Sequence, residues 1–279
     1  MPVRLRWLDR TTLPVDAEAL SPRAVAGLSG AAVARLTLRV GNAQTPVGEL
    51  FAVADDPEAG TADGLTIEGD LTHVRRLGAG MDSGTLEIRG DVGPYLGEGM
   101  TGGTIRVVGS ASHWAGAEMR GGVLRILGDA GDGLGAARPG SRLGMRDGVI
   151  LVDGRAGEDV GRAMRRGVIA VRGGAGEGFG SDLIAGTLIS LGPVGRDVGV
   201  GMKRGTVVLA GRDAPDLPAT FAPSGWHVFP FMTVYLRRLA AWGFETPAAL
   251  SSDRFRRYNG DLAGGGQGEI LVPPAGFEG

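Results

Sequence analysis

A repeat of 19 residues runs through the middle of this chain and constrains its fold more than any other feature. One slot of the repeat holds methionine in six copies and leucine in a seventh, and glycine follows three residues later each time. The slot residues are Met81, Met100, Met119, Met145, Met164, Leu183 and Met202. Successive slots lie 19 residues apart, except for one spacing of 26. The longer spacing predicts an inserted loop on one side of a repeat array, near residues 136–142.

Each repeat contains a short segment in which aliphatic residues alternate with other residues. One aliphatic column is Leu65, Leu86, Ile105, Leu124, Ile150, Ile169, Leu188 and Val207. The column two residues further on is Ile67, Ile88, Val107, Ile126, Val152, Val171, Ser190 and Leu209. This alternation predicts strands, and the short repeat leaves no room for helical crossovers. We therefore predict an all-β fold: a right-handed, single-stranded parallel β-helix of about eight turns, with neighbouring strands about 4.8 Å apart.

The segments on either side of the repeats are expected to cap the two ends of the β-helix, because exposed strand edges promote aggregation. The predicted division is an N-terminal capping region at 1–62, the β-helix at 63–212, and a C-terminal helix and tail at 213–279. The tail has either a capping or a docking role.

Local patterns predict some elements within these caps. Ser21 and Pro22 suit the start of a short helix, and two strands around a turn are expected at 36–42 and 47–53. Towards the C-terminus the predicted elements are a linker at 224–227, a helix within 228–242 interrupted early by Pro230, a polar loop from residue 253, and a final strand at 269–272.

Composition excludes several classes of function. The chain has no cysteine, so it forms no disulfide, no cysteine-ligated metal site and no thiol nucleophile. Its net charge of −2 gives no general attraction to nucleic acid or anionic membrane. We find no apolar run of about 18 to 20 residues that would span a bilayer and no secretory signal, so a cytoplasmic location is expected.

The three histidines do not suggest a metal site. His73 and His113 lie two repeats apart, about 10 Å along the predicted stack, too far to share one zinc ion. We expect His113 instead to form a surface hydrogen bond with a group such as Asp132 of the next repeat. No catalytic residue is predicted for this chain.

Three segments resemble a known family. They are residues 97–109 (GEGMTGGTIRVVG), residues 257–270 (RYNGDLAGGGQGEI) and residues 48–51 (GELF). The first resembles the repeat of the C subunit of formylmethanofuran dehydrogenases and also that of the C-terminal β-helix of glutamate synthase large subunits. The other two are similar to the formylmethanofuran family alone, which favours that family over a module of a glutamate synthase-like amidotransferase.

The resemblance implies a non-catalytic structural or docking subunit of a heteromeric enzyme complex. In the bacterial branch, this is the formyltransferase/hydrolase complex, which releases formate from tetrahydromethanopterin-linked formyl groups. The other components are the amidohydrolase-like A subunit, the B subunit and the formyltransferase D subunit, and the cofactor is methylofuran, a methanofuran analogue with a polyglutamate tail. In the archaeal branch, the protein belongs to a tungsten or molybdenum formylmethanofuran dehydrogenase. The near absence of lysine, with Lys203 as the only one, favours the bacterial branch.

Basic residues recur at the two positions after the methionine slot. They are Arg120, Arg146, Arg165, Arg166, Lys203 and Arg204. If the repeats stack in phase, these side chains form a ridge, which we call the basic ridge. One interpretation is that the six residues are solvated and pair with local acids. The other is a site for a polyanion, and the resemblance would make the polyglutamate tail of methylofuran the candidate ligand.

The outward-facing strand column changes character along the repeats. It is polar at Thr66, Glu87, Arg106 and Arg125 and then apolar at Leu151, Ala170, Ile189 and Val208. Because a water-facing sheet surface rarely becomes apolar over four strands, this part of the face is expected to be covered. Either the helix within 228–242 folds over these four residues, or they form the interface with a partner subunit.

Overall fold

The computed structural model of the protein describes residues 3–55, 64–211, 216–252 and 254–274. Its fold is mostly β. The N-terminal elements are β1 (Val3–Trp7), β2 (Val15–Asp16), α1 (Pro22–Val25), α2 (Gly30–Val33), β3 (Thr37–Val40), β4 (Ala43–Pro46), α3 (Val47–Leu50) and β5 (Phe51–Asp55). The predicted helix start is confirmed, since the Ser21 hydroxyl accepts a hydrogen bond from the Ala24 N–H at 3.2 Å.

The predicted second strand at 47–53 is wrong in its extent. The strand that pairs with β3 is β4, which ends at Pro46, and residues Val47–Leu50 form a helical turn. This turn buries Val47 and Leu50, which are three residues apart and therefore project to the same side. The chain then extends again as β5, which pairs antiparallel with β1.

The repeats supply the next nine strands. They are β6 (Gly64–Glu68), β7 (Val74–Arg75), β8 (Thr85–Arg89), β9 (Thr104–Val107), β10 (Arg120–Ile126), β11 (Asp147–Val152), β12 (Val168–Val171), β13 (Thr187–Ser190) and β14 (Arg204–Leu209). Apart from the short β7, neighbouring repeat strands pair parallel and in register, except for one register shift between Arg120 and Val123 where β10 meets β11. Both predicted aliphatic columns lie in the core, where no member is more than 4% exposed. The polar member, Ser190, is fully buried and donates a hydrogen bond to the Gly192 carbonyl at 2.9 Å.

Packing between repeats explains why the methionine slot and its glycine recur together. Met81 is 3% exposed, and a Cβ atom added at Gly103 of the next repeat would lie 2.7 Å from the Met81 Cε. Gly103 also has a φ of +77°, which favours glycine. The same relation links Met100 to Gly122, where the distance would be 2.6 Å. Each methionine therefore fills the space that a side chain at the glycine of the next repeat would need.

A second line of contacts joins the repeats at another side. Single parallel bridges connect Leu71, Val92, Ala111, Ala130, Ala156, Ala175 and Val194 in succession. The predicted insertion is confirmed as a loop, since residues 136–146 lie between β10 and β11 without forming a helix or strand. The strands on either side of this loop shift register between Arg120 and Val123 and then keep the common register to Ile126, so the 26-residue spacing leaves the aliphatic columns aligned.

The C-terminal region extends the sheet rather than ending it with a loop. Its elements are β15 (Ala222–Val228), α4 (Phe231–Ala241), a 3-10 helix (Ala248–Ser252), β16 (Arg254–Gly260), a 3-10 turn (Leu262–Gly264) and β17 (Gln267–Val272). The helix that starts after Pro230 and the final strand are confirmed. The predicted linker at 224–227 and the polar loop from residue 253 are wrong, because these segments lie largely within β15 and β16, which pair antiparallel with each other.

One sheet of 13 strands unites these regions, in the order β15-β16-β17-β14-β13-β12-β11-β10-β9-β8-β6-β1-β5. The repeat strands form its parallel centre, with β17 added in parallel next to β14. A smaller sheet has the order β4-β3-β2-β7. The outward corners and faces of the repeat strands are the surfaces on which candidate functional residues lie.

Candidate functional site

The backbone binds three members of the basic ridge to the preceding repeat in the same way, although the strand partner of Arg120 in the next repeat is Asp147, the neighbour of Arg146. The N–H of Arg120 donates to the Met100 carbonyl at 2.7 Å, and the N–H of Arg146 donates to the Met119 carbonyl at 2.7 Å. The Arg165 N–H donates to the carbonyl of the preceding methionine at 2.8 Å. Ile184 takes the next corner, so Lys203 stands apart from the three arginines.

The six ridge residues are short of counter-charges. Five are exposed, and Arg146 is half-buried. None has a carboxylate within 4 Å among the residues that the structure describes, and the buried Nε of Arg146 has no acceptor there. In water, two like charges about 5 Å apart repel by about 0.8 kcal/mol. A bound polyanion would remove that repulsion.

The residues of the basic ridge do not all line the same pocket. Arg166 lies in a groove beside α4, whereas Lys203 lines a separate cavity of about 640 Å³ next to the inserted loop. The structure therefore places Arg120, Arg146 and Arg165 at equivalent corners of three successive repeats and Arg166 in the groove beside α4, whereas Lys203 and Arg204 lie two repeats beyond Arg165 and Arg166.

The apolar outward column is covered by this chain itself. Leu151, Ala170, Ile189 and Val208 are each 0% exposed and form a second core with residues from the C-terminal region. The covering side chains are Met232, Leu236, Leu239, Phe244, Leu250 and Phe255. Of the two expectations, the structure therefore favours the intramolecular one: these four residues offer no open surface to a partner.

Two arginines fix the segment that follows α4 onto the sheet. Arg125 and Arg172 both bind the Asp153 carboxylate, Arg172 at 3.1 Å. Arg172 also donates to the Glu245 carbonyl at 2.9 Å. Their guanidinium groups lie 5.2 and 4.7 Å from the centroid of the Phe244 ring, within the range of cation–π attraction. Burial lowers the pKa of Arg125, even though the neighbouring carboxylate acts in the opposite direction.

Sequence reasoning missed a buried ionic network beneath the inserted loop. Arg138, from this loop, contacts Glu98 at 2.5 Å and Glu118 at 3.0 Å, and the two carboxylates are only 9% and 12% exposed. Arg76 reaches Glu98 from the other side at 3.3 Å. The sequence contained a signal for this network. A glutamate stands just before each of Met100 and Met119, and the insertion near residues 136–142 is rich in arginine.

The network sets the ionisation of Glu118. Burial alone raises the pKa of its carboxyl, but hydrogen bonds from Arg138 and Ser141 outweigh burial, and the pKa lies below its ordinary value. The loop is therefore held in place by a carboxylate that stays ionised at neutral pH. This arrangement shapes the cavity of about 640 Å³ beside the loop, which is also lined by Trp114.

The predicted surface hydrogen bond of His113 is confirmed. Its Nδ1 accepts from the Asp132 backbone N–H at 3.1 Å, and it lies 3.3 Å from an oxygen of the Asp132 carboxylate, with both side chains about half exposed. Within the described part of the chain, no three histidine or acidic side chains are grouped so that they could hold a metal ion. No helix in residues 3–55, 64–211, 216–252 or 254–274 is long and apolar enough to cross a membrane.

Comparison with known proteins links the chain to two groups of curated proteins. It is 38% identical over 81 residues to the C subunit of the molybdenum-containing formylmethanofuran dehydrogenase 1 from Methanothermobacter thermautotrophicus, a match over 29% of this chain and 20% of that protein. It is 38% identical over 82 residues to the C subunit of the formyltransferase/hydrolase complex from Methylorubrum extorquens, over 29% of each protein. These matches thus cover less than a third of either relative. No model of a protein family matches the chain.

The solved structures give a match over almost the whole length. The chain is similar, with a TM-score of 0.85 and 35% identity, to a chain in the crystal structure of the formyltransferase/hydrolase complex from Methylorubrum extorquens, solved in complex with methylofuran. The match covers 97% of this chain and 99% of that one. The chain therefore belongs to the family formed by the C subunits of formylmethanofuran dehydrogenases and of the formyltransferase/hydrolase complex.

Proposed function

We propose that this protein is a structural and docking subunit of a formyltransferase/hydrolase complex in tetrahydromethanopterin- and methanofuran-linked one-carbon metabolism, the oxidation of formaldehyde to formate. The observation that carries the proposal is the end-to-end match, at 35% identity, with a chain of the solved formyltransferase/hydrolase complex. In this proposal, methylofuran acts at the level of the complex. Catalysis belongs to the amidohydrolase-like A subunit, the B subunit and the formyltransferase D subunit.

The proposal includes a specific shape for the chain. We infer that residues 63–212 form a right-handed parallel β-helix of about eight turns, with residues 1–62 and 213–279 as its two ends. In-register parallel pairing from β6 to β14 supports this, as does the second line of bridges from Leu71 to Val194. Such a stack is a stiff scaffold, because each repeat is held by both of its neighbours.

Purification from the native host tests the proposed function. With an affinity tag on this chain, we expect a formyltransferase and amidohydrolase-like subunits to co-purify, and formate to be released from formyl-tetrahydromethanopterin by the complex but not by this chain alone. Mass spectrometry identifies the subunits and a coupled formate assay measures the activity. Purification of the chain without these partners, or formate release by the isolated chain, would refute the proposal.

A second candidate is the C subunit of an archaeal-type formylmethanofuran dehydrogenase. The identity of 38% to the molybdenum enzyme of Methanothermobacter thermautotrophicus favours it, although that match spans only 81 residues. The two candidates differ in the metals of their partners. Elemental analysis of the purified complex separates them, since tungsten or molybdenum together with iron would indicate the dehydrogenase.

The basic ridge is proposed to help hold the polyglutamate tail of methylofuran within the complex. The stacked, unpaired arginines at residues 120, 146, 165 and 166 support this, because carboxylates bind guanidinium groups in two-pronged hydrogen bonds. Replacement of Arg165 and Arg166 by alanine is expected to release the cofactor at lower salt than from the wild-type complex.

Arg155→Ala with Arg196→Ala is the matched control, since it removes the same charge from exposed residues on another corner of the repeats. Methylofuran retained after washes of increasing NaCl concentration is measured by mass spectrometry. Equal retention by the two double variants would contradict a role for the ridge.

A further inference from the structure

Helix α4 borders a groove at the margin of the second core. Met232, Leu236 and Leu239 point into the second core, whereas Val234 is 62% exposed. Val234, Tyr235, Arg238 and Trp242 line a groove of about 610 Å³ between the helix and the sheet. Val234 therefore leaves apolar surface open on the rim of a groove whose other apolar walls belong to the second core.

The opposite wall of this groove is built from three neighbouring repeats. Val123, Val149 and Val168 are paired in register on adjacent strands and form one apolar column along it. Two strand spacings make this wall about 10 Å long. An extended peptide of about three residues spans that length, at roughly 3.3 Å per residue.

The charges at the groove are mainly positive. Arg166 and Arg238 both line it, and neither has a carboxylate within 4 Å in the described part of the chain, while the Arg238 guanidinium lies 5.9 Å from the centroid of the Trp242 ring. The acidic residue of the lining is Asp147, whose carboxylate accepts a hydrogen bond from the Gly148 N–H at 2.7 Å. Arg165 continues the positive surface on the ridge. A second copy of this chain would present the same positive charges, so electrostatic repulsion disfavours the binding of two copies through this groove.

We propose that this groove docks an acidic, amphipathic segment of a partner subunit. Apolar side chains of that segment would fill the space between Val168 and Val234, and a carboxylate of the segment would bind Arg238, which leaves Arg166 available to the ridge. Apolar contact at the centre with charges at the rim is the usual arrangement of a protein interface. The inference rests on the proposed function, because it names the surface through which the chain joins its complex.

Two substitutions in the groove test the inference, each with a matched control. Val234→Asp places a negative charge on the apolar rim, and Val228→Asp makes the same change at a valine that is 64% exposed on β15, away from the groove. Arg238→Glu reverses a groove charge, and Arg237→Glu does so at an exposed neighbour on the same helix that is not part of the lining. Each variant is co-expressed with the complex in the native host and purified through a tag on this chain.

The readout is the amount of each partner subunit, measured by mass spectrometry after washes of increasing NaCl concentration. Both groove variants are expected to retain about tenfold less partner than wild type, the range for loss of one charged hydrogen-bonded contact, while both controls match wild type. Circular dichroism of each variant verifies folding. If Val234→Asp does not fold, the comparison of Arg238→Glu with Arg237→Glu is sufficient to test the inference.

Several outcomes overturn the inference. One is full retention of partners by both groove variants. Another is equal loss in groove and control variants. A third is loss of a small anionic molecule with all protein subunits retained. If the proposed function itself is wrong, the result is different: even the wild-type chain co-purifies with no formyltransferase or amidohydrolase-like subunit.

Discussion

Phe244 is predicted to be the main anchor that holds the C-terminal region over the apolar column. Its side chain is fully buried in the second core and lies beneath Arg125 and Arg172. Phe244→Ala removes this ring from a packed site, and buried phenylalanine to alanine changes cost about 3 to 5 kcal/mol. Loss of the two cation–π contacts, one with the largely buried Arg125 and one with the partly exposed Arg172, adds roughly 0.5 to 1 kcal/mol each. We therefore expect the free energy of unfolding to fall by at least about 4 kcal/mol.

Urea unfolding provides the measurement, followed by tryptophan fluorescence and by far-ultraviolet circular dichroism. Trp242 packs against the same core, so its fluorescence is expected to change at lower urea concentration than in wild type. Phe231→Ala is the control, because Phe231 is 37% exposed at the start of α4 and its loss should lower the free energy of unfolding by less than about 2 kcal/mol. Equal decreases in the free energy of unfolding for the two variants would refute the view that Phe244 anchors the covering segment.

Two further predictions concern the inserted loop and the repeat corners. Because the folded-state pKa of Glu118 is lowered, its ionised form stabilises the protein above the ordinary carboxyl pKa near 4.5, and this contribution is lost as pH falls through the lowered value. Glu118→Gln should therefore lower the free energy of unfolding by about 1 kcal/mol at pH 7, and by progressively less as the pH of the urea titrations falls below 4.5. A cost that does not decrease in that direction would contradict the ionic explanation. Gly116 (φ +64°) and Gly99 (φ +63°) share a backbone conformation, but only at Gly116 would a Cβ meet a side chain, at 2.5 Å from the Ile150 Cδ1. Thermal unfolding should show Gly116→Ala to be less stable than Gly99→Ala by about 1 to 3 kcal/mol, and equal stabilities would contradict this account of the corners.

The stacking of the basic ridge followed only in part from the same periodicity as the strands. Residues at equal positions in repeats of equal length reach equal positions on the stack, which predicts the alignment of Arg146 with Arg165. The alignment of Arg120 did not follow from periodicity, because 26 residues separate it from Arg146 and the pairing of β10 with β11 shifts register beside it. Periodicity says nothing about what surrounds such a column. The separation of Arg166 into the groove and of Lys203 into the cavity beside the loop depends on α4 and on the insertion, which occur once each.

The sequence by itself determined the parallel strands of the repeats, the burial of their aliphatic columns and the position of the inserted loop. These features are local and repeated, so every copy adds evidence for one alternation and one spacing. Only the tertiary structure decided that residues 254–260 form a strand, that Arg138 closes over Glu98 and Glu118, and that α4 covers Leu151 and its column. The physical reason is that these contacts join segments far apart in the chain and occur only once. Several pairings of such segments are equally compatible with the sequence, and burial and charge pairing in the folded chain select one of them.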